Sequence, residues 1–84
     1  MYEVVWESSV EENLRKIDRT IVRKIKDKVE NYLVKNPQRL GEPLTGQYKG
    51  FYRCKFSDYR VIYEIKQSEL LIIVIKVGHR REVY

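Results

Sequence analysis

PLTGQYKGFYRCKFSDYRVIY, Pro43–Tyr63, holds two extended runs back to back, and the alternation within them decides the fold. Successive side chains of a strand point to opposite faces. Phe51, Arg53 and Lys55 therefore share one face of the first run, and Tyr52, Cys54 and Phe56 the other. In the second run Tyr59, Val61, Tyr63 and Ile65 fall on one side, with Arg60, Ile62 and Glu64 opposite. Short polar breaks suit hairpin turns. Ser57-Asp58 supplies one, and Gln67-Ser68 another, leading into LLIIVIKV, Leu70–Val77. That run is apolar on both faces and reads as the central strand. Antiparallel pairing sets Arg60 across from Arg53 and Lys55, and Lys76 shares parity with Arg80 beyond Gly78.

The C-terminal VGHRREVY, Val77–Tyr84, brings Arg80, Arg81 and Tyr84 to the end of that strand. Like charges placed across a hairpin destabilise it, so gathering these cations on one sheet points to a polyanionic partner. A nucleic-acid phosphate suits the set: arginine offers its oxygens a planar fork, and aromatic rings stack on unpaired bases. Phe51 and Tyr84 are the stacking candidates.

Upstream, Tyr2–Glu7 reads as a short strand with Tyr2, Val4 and Trp6 on one face and Val5 on the other. Ser8 and Glu11 have capping-box spacing, and Val10, Leu14 and Ile17 make an apolar stripe behind them. Asp18 is a good N-cap for a second helix expected to run to about Asn36, where Pro37 stops it. Ile21, Ile25, Val29, Tyr32 and Leu33 are its expected buried face, while Lys24, Lys26 and Lys28 read as a solvated one moderated by Asp27 and Glu30. From Pro37 to Gly50 both prolines and three of the four glycines cluster, which predicts loop. The expected class is α+β: a strand, a two-helix hairpin, then an antiparallel three-stranded meander, packed as one small sheet against the helices in a single domain, 1–84.

Composition narrows the function. Hydrophobic residues at 43% support a globular core. The net charge of +5 is uneven: residues 1–45 carry nine Lys/Arg against eight Asp/Glu, and residues 46–84 eight against four. The surplus sits with the sheet. Cys54 alone excludes an intrachain disulfide, and with His79 it falls short of the three or four ligands that zinc takes. No Gly-rich phosphate loop opens a helix, and Ser57 lacks the spacing of a nucleophile. No cofactor or metal is expected. Glu11 and Glu12 are adjacent on a helix and do not face each other. His79, after a glycine, suits a structural or a catalytic role equally. With no signal peptide and no apolar run of about 18 residues, a reducing cytoplasm and no membrane contact are expected.

GQYKGFYR (Gly46–Arg53), DYRVIYEI (Asp58–Ile65) and VGHRREVY (Val77–Tyr84), in this order and separation, resemble toxins of the RelE/ParE superfamily on its RelE, mRNA-interferase side. The resemblance covers nearly the whole chain. It implies the toxin of a type II toxin–antitoxin system, in complex with a cognate antitoxin, that cuts mRNA in the ribosomal A site by attack of the 2′-OH on the adjacent phosphate. Carried over by position, Arg53 and Lys55 stand where the family has two lysines. Arg60 matches the phosphate-binding arginine, Arg80 the arginine near the leaving group, and Tyr84 the tyrosine that orients the nucleotide. Arg81 is a weaker supporting cation. Arginine at position 53 removes one possible base, since guanidinium keeps its proton, so Lys55 is the expected base. Many relatives continue past this tyrosine; here the chain's carboxylate is expected beside the site. Two other readings stand: a ParE-like gyrase-inhibiting toxin of the same fold, and a catalytically inactive RNA-binding relative.

Overall fold

The computed structural model describes residues 1–82. Strand β1 (Glu3–Trp6) leads into helices α1 (Val10–Arg15) and α2 (Arg19–Asn31), and a one-turn helix α3 (Pro37–Leu40) follows. Then come the two-residue strand β2 (Glu42–Pro43) and the strands β3 (Tyr52–Phe56), β4 (Tyr59–Lys66) and β5 (Leu71–His79). The sheet runs β1-β5-β4-β3-β2. β1 pairs parallel to β5, and the remaining neighbours are antiparallel. The α+β class and the three-strand meander are as expected. The middle place, however, goes to β4; β5 lies between β4 and β1. It begins at Leu71 because Leu70 closes the preceding turn in a left-handed conformation, φ 53°, and is about half exposed.

Helices α1 and α2 lie on one face of the sheet. Val10, Leu14, Ile25, Val29, Leu33 and Val34 pack there against Cys54, Val61, Tyr63, Ile72, Val74 and Val77. Burying each large aliphatic side chain contributes about 1.5–3 kcal/mol. Tyr2, Val4 and Trp6 join this core while Val5 stays exposed, as the alternation predicts. The opposite face carries a second, smaller cluster: Leu44 and Ile62, flanked by Tyr48, Phe51 and Ile75.

Helix ends depart from the sequence reading. Ser8-Ser9 is already turned, so the carbonyls of Glu7 and Ser8 take the amides of Val10 and Glu11, and the expected Ser8–Glu11 capping box does not form. Asp18 does cap α2, accepting from the Thr20 amide at 2.8 Å. α2 ends at Asn31 instead of Asn36, and its C-cap Tyr32, expected in the core, is 44% exposed. Its ring lies instead under the Lys28 ammonium, 5.0 Å away. Asn36 then caps α3, with Pro37 in its first turn, so the proline expected to stop one helix starts another. Lys26 and Lys28, expected on a solvated face, lie over Trp6 and over Tyr32 and Phe56.

Candidate functional site

The site begins with how β2 reaches the sheet. Leu44 donates its amide to Phe51 O at 2.9 Å, closing the segment between them, in which Gly46 (φ +67°) and Gly50 (φ +100°) take left-handed conformations. Glu42 is thereby set opposite Arg53, and Pro43 opposite Tyr52. Gly41 rests against the ring of Tyr63: a Cβ there would collide with the hydroxyl and stand 3.2 Å from Arg53 O. Tyr63 is fully buried and donates to Pro37 O at 2.8 Å. Burial holds that phenol far above its ordinary range, with smaller contributions from Cys54 and Tyr52, so it remains a donor. The core thus fixes the backbone from which Glu42 projects.

Glu42 Oε1 lies 3.6 Å from Arg53 Nη2 and 3.7 Å from Lys55 Nζ. Lys55 is the direct register partner of Arg60. Arg60 bends back over the β3–β4 turn, where Nη1 donates to Ser57 O at 3.2 Å and Tyr59 O at 3.0 Å. The same turn holds Arg80. Its amide donates to Asp58 O at 2.7 Å, and its guanidinium is 3.9 Å from Asp58 Oδ1. Arg53, Lys55 and Arg60 are therefore together on one face, and Arg80 is tied to the turn that carries Arg60. Between Arg60 and the end of β5, Gly78 pairs with Arg60 and contributes no side chain.

The remaining expected residues are placed less decisively. Phe51 is half-buried against Leu44 and Ile62 and meets the Tyr48 ring edge-on at 6.5 Å, so packing already engages much of it. Arg81 is exposed, and its amide donates to His79 Nδ1 at 3.2 Å. Tyr84 lies outside the described residues. Cys54 sits on the opposite face, buried in the core; desolvation pushes its thiol up, partly opposed by Lys28. It is no nucleophile. Among the described residues no three His, Cys, Asp or Glu side chains gather as for a metal ion, and no helix is long and apolar enough to cross a membrane.

Two acidic residues were not among the sequence candidates. Glu42 bridges Arg53 and Lys55, and Asp58 stands beside Arg80. The clue for Glu42 was its place just before Pro43-Leu44, but a two-residue strand has no alternation to read. The site is consequently a row of guanidinium and ammonium groups with two half-exposed carboxylates beside them, Glu42 at Arg53 and Lys55 and Asp58 at Arg80. Such a row binds phosphate oxygens, and a carboxylate accepts a proton when ionised.

The model of the family described as ParE toxin of type II toxin–antitoxin system, parDE, matches residues 4–84. Toxin RelE of Mycobacterium tuberculosis is 28% identical over 83 residues, covering 99% of this chain and 86% of the relative. Toxin RelG of the same organism is 24% identical over 83 residues, covering 99% and 95%. The crystal structure of the M. tuberculosis RelBE2 toxin–antitoxin complex superposes with a TM-score of 0.89 at 24% identity, over 94% of this chain and 98% of that one.

Proposed function

The chain belongs to the ParE toxin family of type II toxin–antitoxin systems, and from that premise we propose that it is a ribosome-dependent endoribonuclease that cleaves mRNA. The observation that carries this reading is the grouping of Arg53, Lys55 and Arg60 on one sheet face, with Glu42 beside the first two and Lys55 directly opposite Arg60.

In this mechanism Arg53, Lys55 and Arg60 hold the scissile phosphate. The 2′-OH of the preceding nucleotide gives its proton to the base as its oxygen bonds to phosphorus. The bond from phosphorus to the 5′-oxygen breaks, leaving a 2′,3′-cyclic phosphate. Arg80 steadies the charge on the departing 5′-oxygen, which takes a proton from water. Stabilising charge as it develops is the largest contribution such a site offers. Tyr84 orients the nucleotide, Phe51 offers a partly covered ring beside it, and Arg81 adds a supporting cation.

In this reading one role is reassigned. A lysine base needs to be taken out of water, whereas Lys55 is 55% exposed and lies 3.7 Å from the Glu42 carboxylate. Glu42 is the acceptor in the row and takes the base role; Lys55 becomes a phosphate ligand. Holding the 2′-OH in line for attack falls to the ribosome, so cutting of free RNA is weak. A cognate antitoxin, acidic in the segment that meets this face, covers the cations in a hetero-oligomer in the cytoplasm. A second reading, gyrase inhibition, is favoured by the matched family's description. Expression without the partner, followed by parallel assays of mRNA cleavage on ribosomes and of gyrase supercoiling, separates the two. Cleavage lost in Arg80→Ala with supercoiling untouched supports the nuclease; inhibited supercoiling with intact mRNA refutes it.

A further inference from the structure

β1 covers β5 only as far as Val74, the partner of Trp6. Beyond that point α1 approaches the uncovered edge, and Asn13 Oδ1 accepts the Val77 amide at 3.0 Å. Between the end of α1 and the last residues of β5 lies a cleft of about 500 Å³, lined by Asn13, Lys16, Tyr59, Lys76, His79 and Arg81 among others. That volume is in the range of small-ligand sites, roughly 300–1,000 Å³.

Its chemistry is specific. Tyr59 and His79 meet edge to face, centroids 5.6 Å apart at 80°, so one ring plane is braced by the other. His79 is further fixed through Nδ1, which accepts the Arg81 amide, and through its carbonyl, which accepts the Glu82 amide at 2.8 Å. Three cations, Lys16, Lys76 and Arg81, outnumber the carboxylate Glu82 on the lining. Braced aromatic rings beside a cationic surplus suit a nucleotide of single-stranded RNA, base on the rings and phosphate on the cations.

We propose that this cleft binds the nucleotide on the 3′ side of the cut, the one that carries the departing 5′-oxygen; the assignment rests on the RNA-cleavage reading above. Arg80, placed at that oxygen, lies between His79 and Arg81 in the chain, and both of these line the cleft. Tyr59 and His79 receive the base, while Lys16 and Arg81 hold the next phosphate. Base preference at this position is then set by the cleft and not by the Arg53–Arg60 row.

The test is an NMR titration of the amides of the whole chain with a short RNA whose scissile 2′-OH is replaced by hydrogen, for wild type, Lys16→Glu and Lys16→Arg. Lys16 is exposed, so neither change disturbs the core. Saturable shifts at Asn13, Lys16, His79 and Arg81 are expected, with affinity about tenfold weaker in Lys16→Glu and retained in Lys16→Arg. Shifts confined to β3 and β4 would overturn the cleft while leaving the cleavage reading intact. Shifts nowhere would overturn the cleft as well, and cleft amides that move only when antitoxin is added would make it a protein-docking groove. Cleft shifts without any cleavage on ribosomes would support nucleotide binding here and count against the catalytic reading alone.

Discussion

Lys55 and Arg60 stand directly opposite each other across β3 and β4, two cations in register on one face of a hairpin. Facing like charges oppose strand pairing. The fold moderates this by drawing Lys55 toward Glu42 and turning Arg60 onto the carbonyls of Ser57 and Tyr59. Lys55→Gln should accordingly leave stability unchanged or raise it by a few tenths of a kcal/mol, about what a solvent-screened pair contributes, while weakening cleavage. Urea unfolding measures the first and ribosomal cleavage the second. A loss of stability above about 1 kcal/mol would show that Lys55 is there for the fold.

Gly41 should tolerate no side chain. Gly41→Ala forces a methyl against the Tyr63 hydroxyl and should cost about 1–3 kcal/mol by overpacking. Tyr63→Phe removes the hydroxyl and its bond to Pro37 O, a loss of about 1 kcal/mol. In combination the two should be non-additive, with Tyr63→Phe relieving much of the alanine's cost. Chemical denaturation of the four proteins in the cycle reads this directly; simple additivity would mean that Gly41 and Tyr63 do not press on each other.

The Cys54 thiol should resist alkylation in the native protein and react as the chain unfolds. Desolvation raises it in the folded state, with Lys28 opposing. In the unfolded chain a thiol ionises near pH ~8.5. Between the two values the unfolded state binds fewer protons, so stability present below about pH 8.5 falls as pH rises further. Cys54→Ala should flatten that decline. Labelling rate against urea, and unfolding curves across alkaline pH, check both statements; fast labelling without denaturant would contradict the burial.

Arg53→Lys should be mild, since it keeps a cation beside Glu42, whereas Arg60→Ala should weaken substrate binding more than the chemical step. Single-turnover kinetics separate the two: a raised half-saturating ribosome concentration with little change in maximal rate is expected for Arg60→Ala. An unchanged half-saturation with a collapsed rate would move Arg60 from binding to catalysis.

Much of this architecture is legible in the residues because strand alternation has period two. Tyr52, Cys54 and Phe56 face the core together with Val61 and Tyr63, and that same parity puts Arg53, Lys55 and Arg60 on the other side. Where the reading departs from the structure, local backbone bonds set the outcome. Tyr32 continues the helical stripe of Ile25 and Val29, but α2 stops one residue before it. Ser8 has the spacing of a capping box, yet the Glu7 and Ser8 carbonyls already take the amides. Glu42 escapes notice because its partner across the sheet depends on the Leu44–Phe51 closure and on Gly41 fitting beneath Tyr63. None of these leaves a periodic trace.

The base assignment is the point on which the mechanism turns, and single-turnover cleavage of mRNA on programmed ribosomes tests it, using wild type, Glu42→Gln and Lys55→Met. Glu42→Gln should cut about 10²–10⁴-fold more slowly, the usual contribution of a general base. Lys55→Met, which removes a phosphate ligand, should be impaired less. Glu42→Gln cleaving at near wild-type rate would contradict the account, and a wild-type protein that leaves ribosome-bound mRNA uncut would remove its foundation.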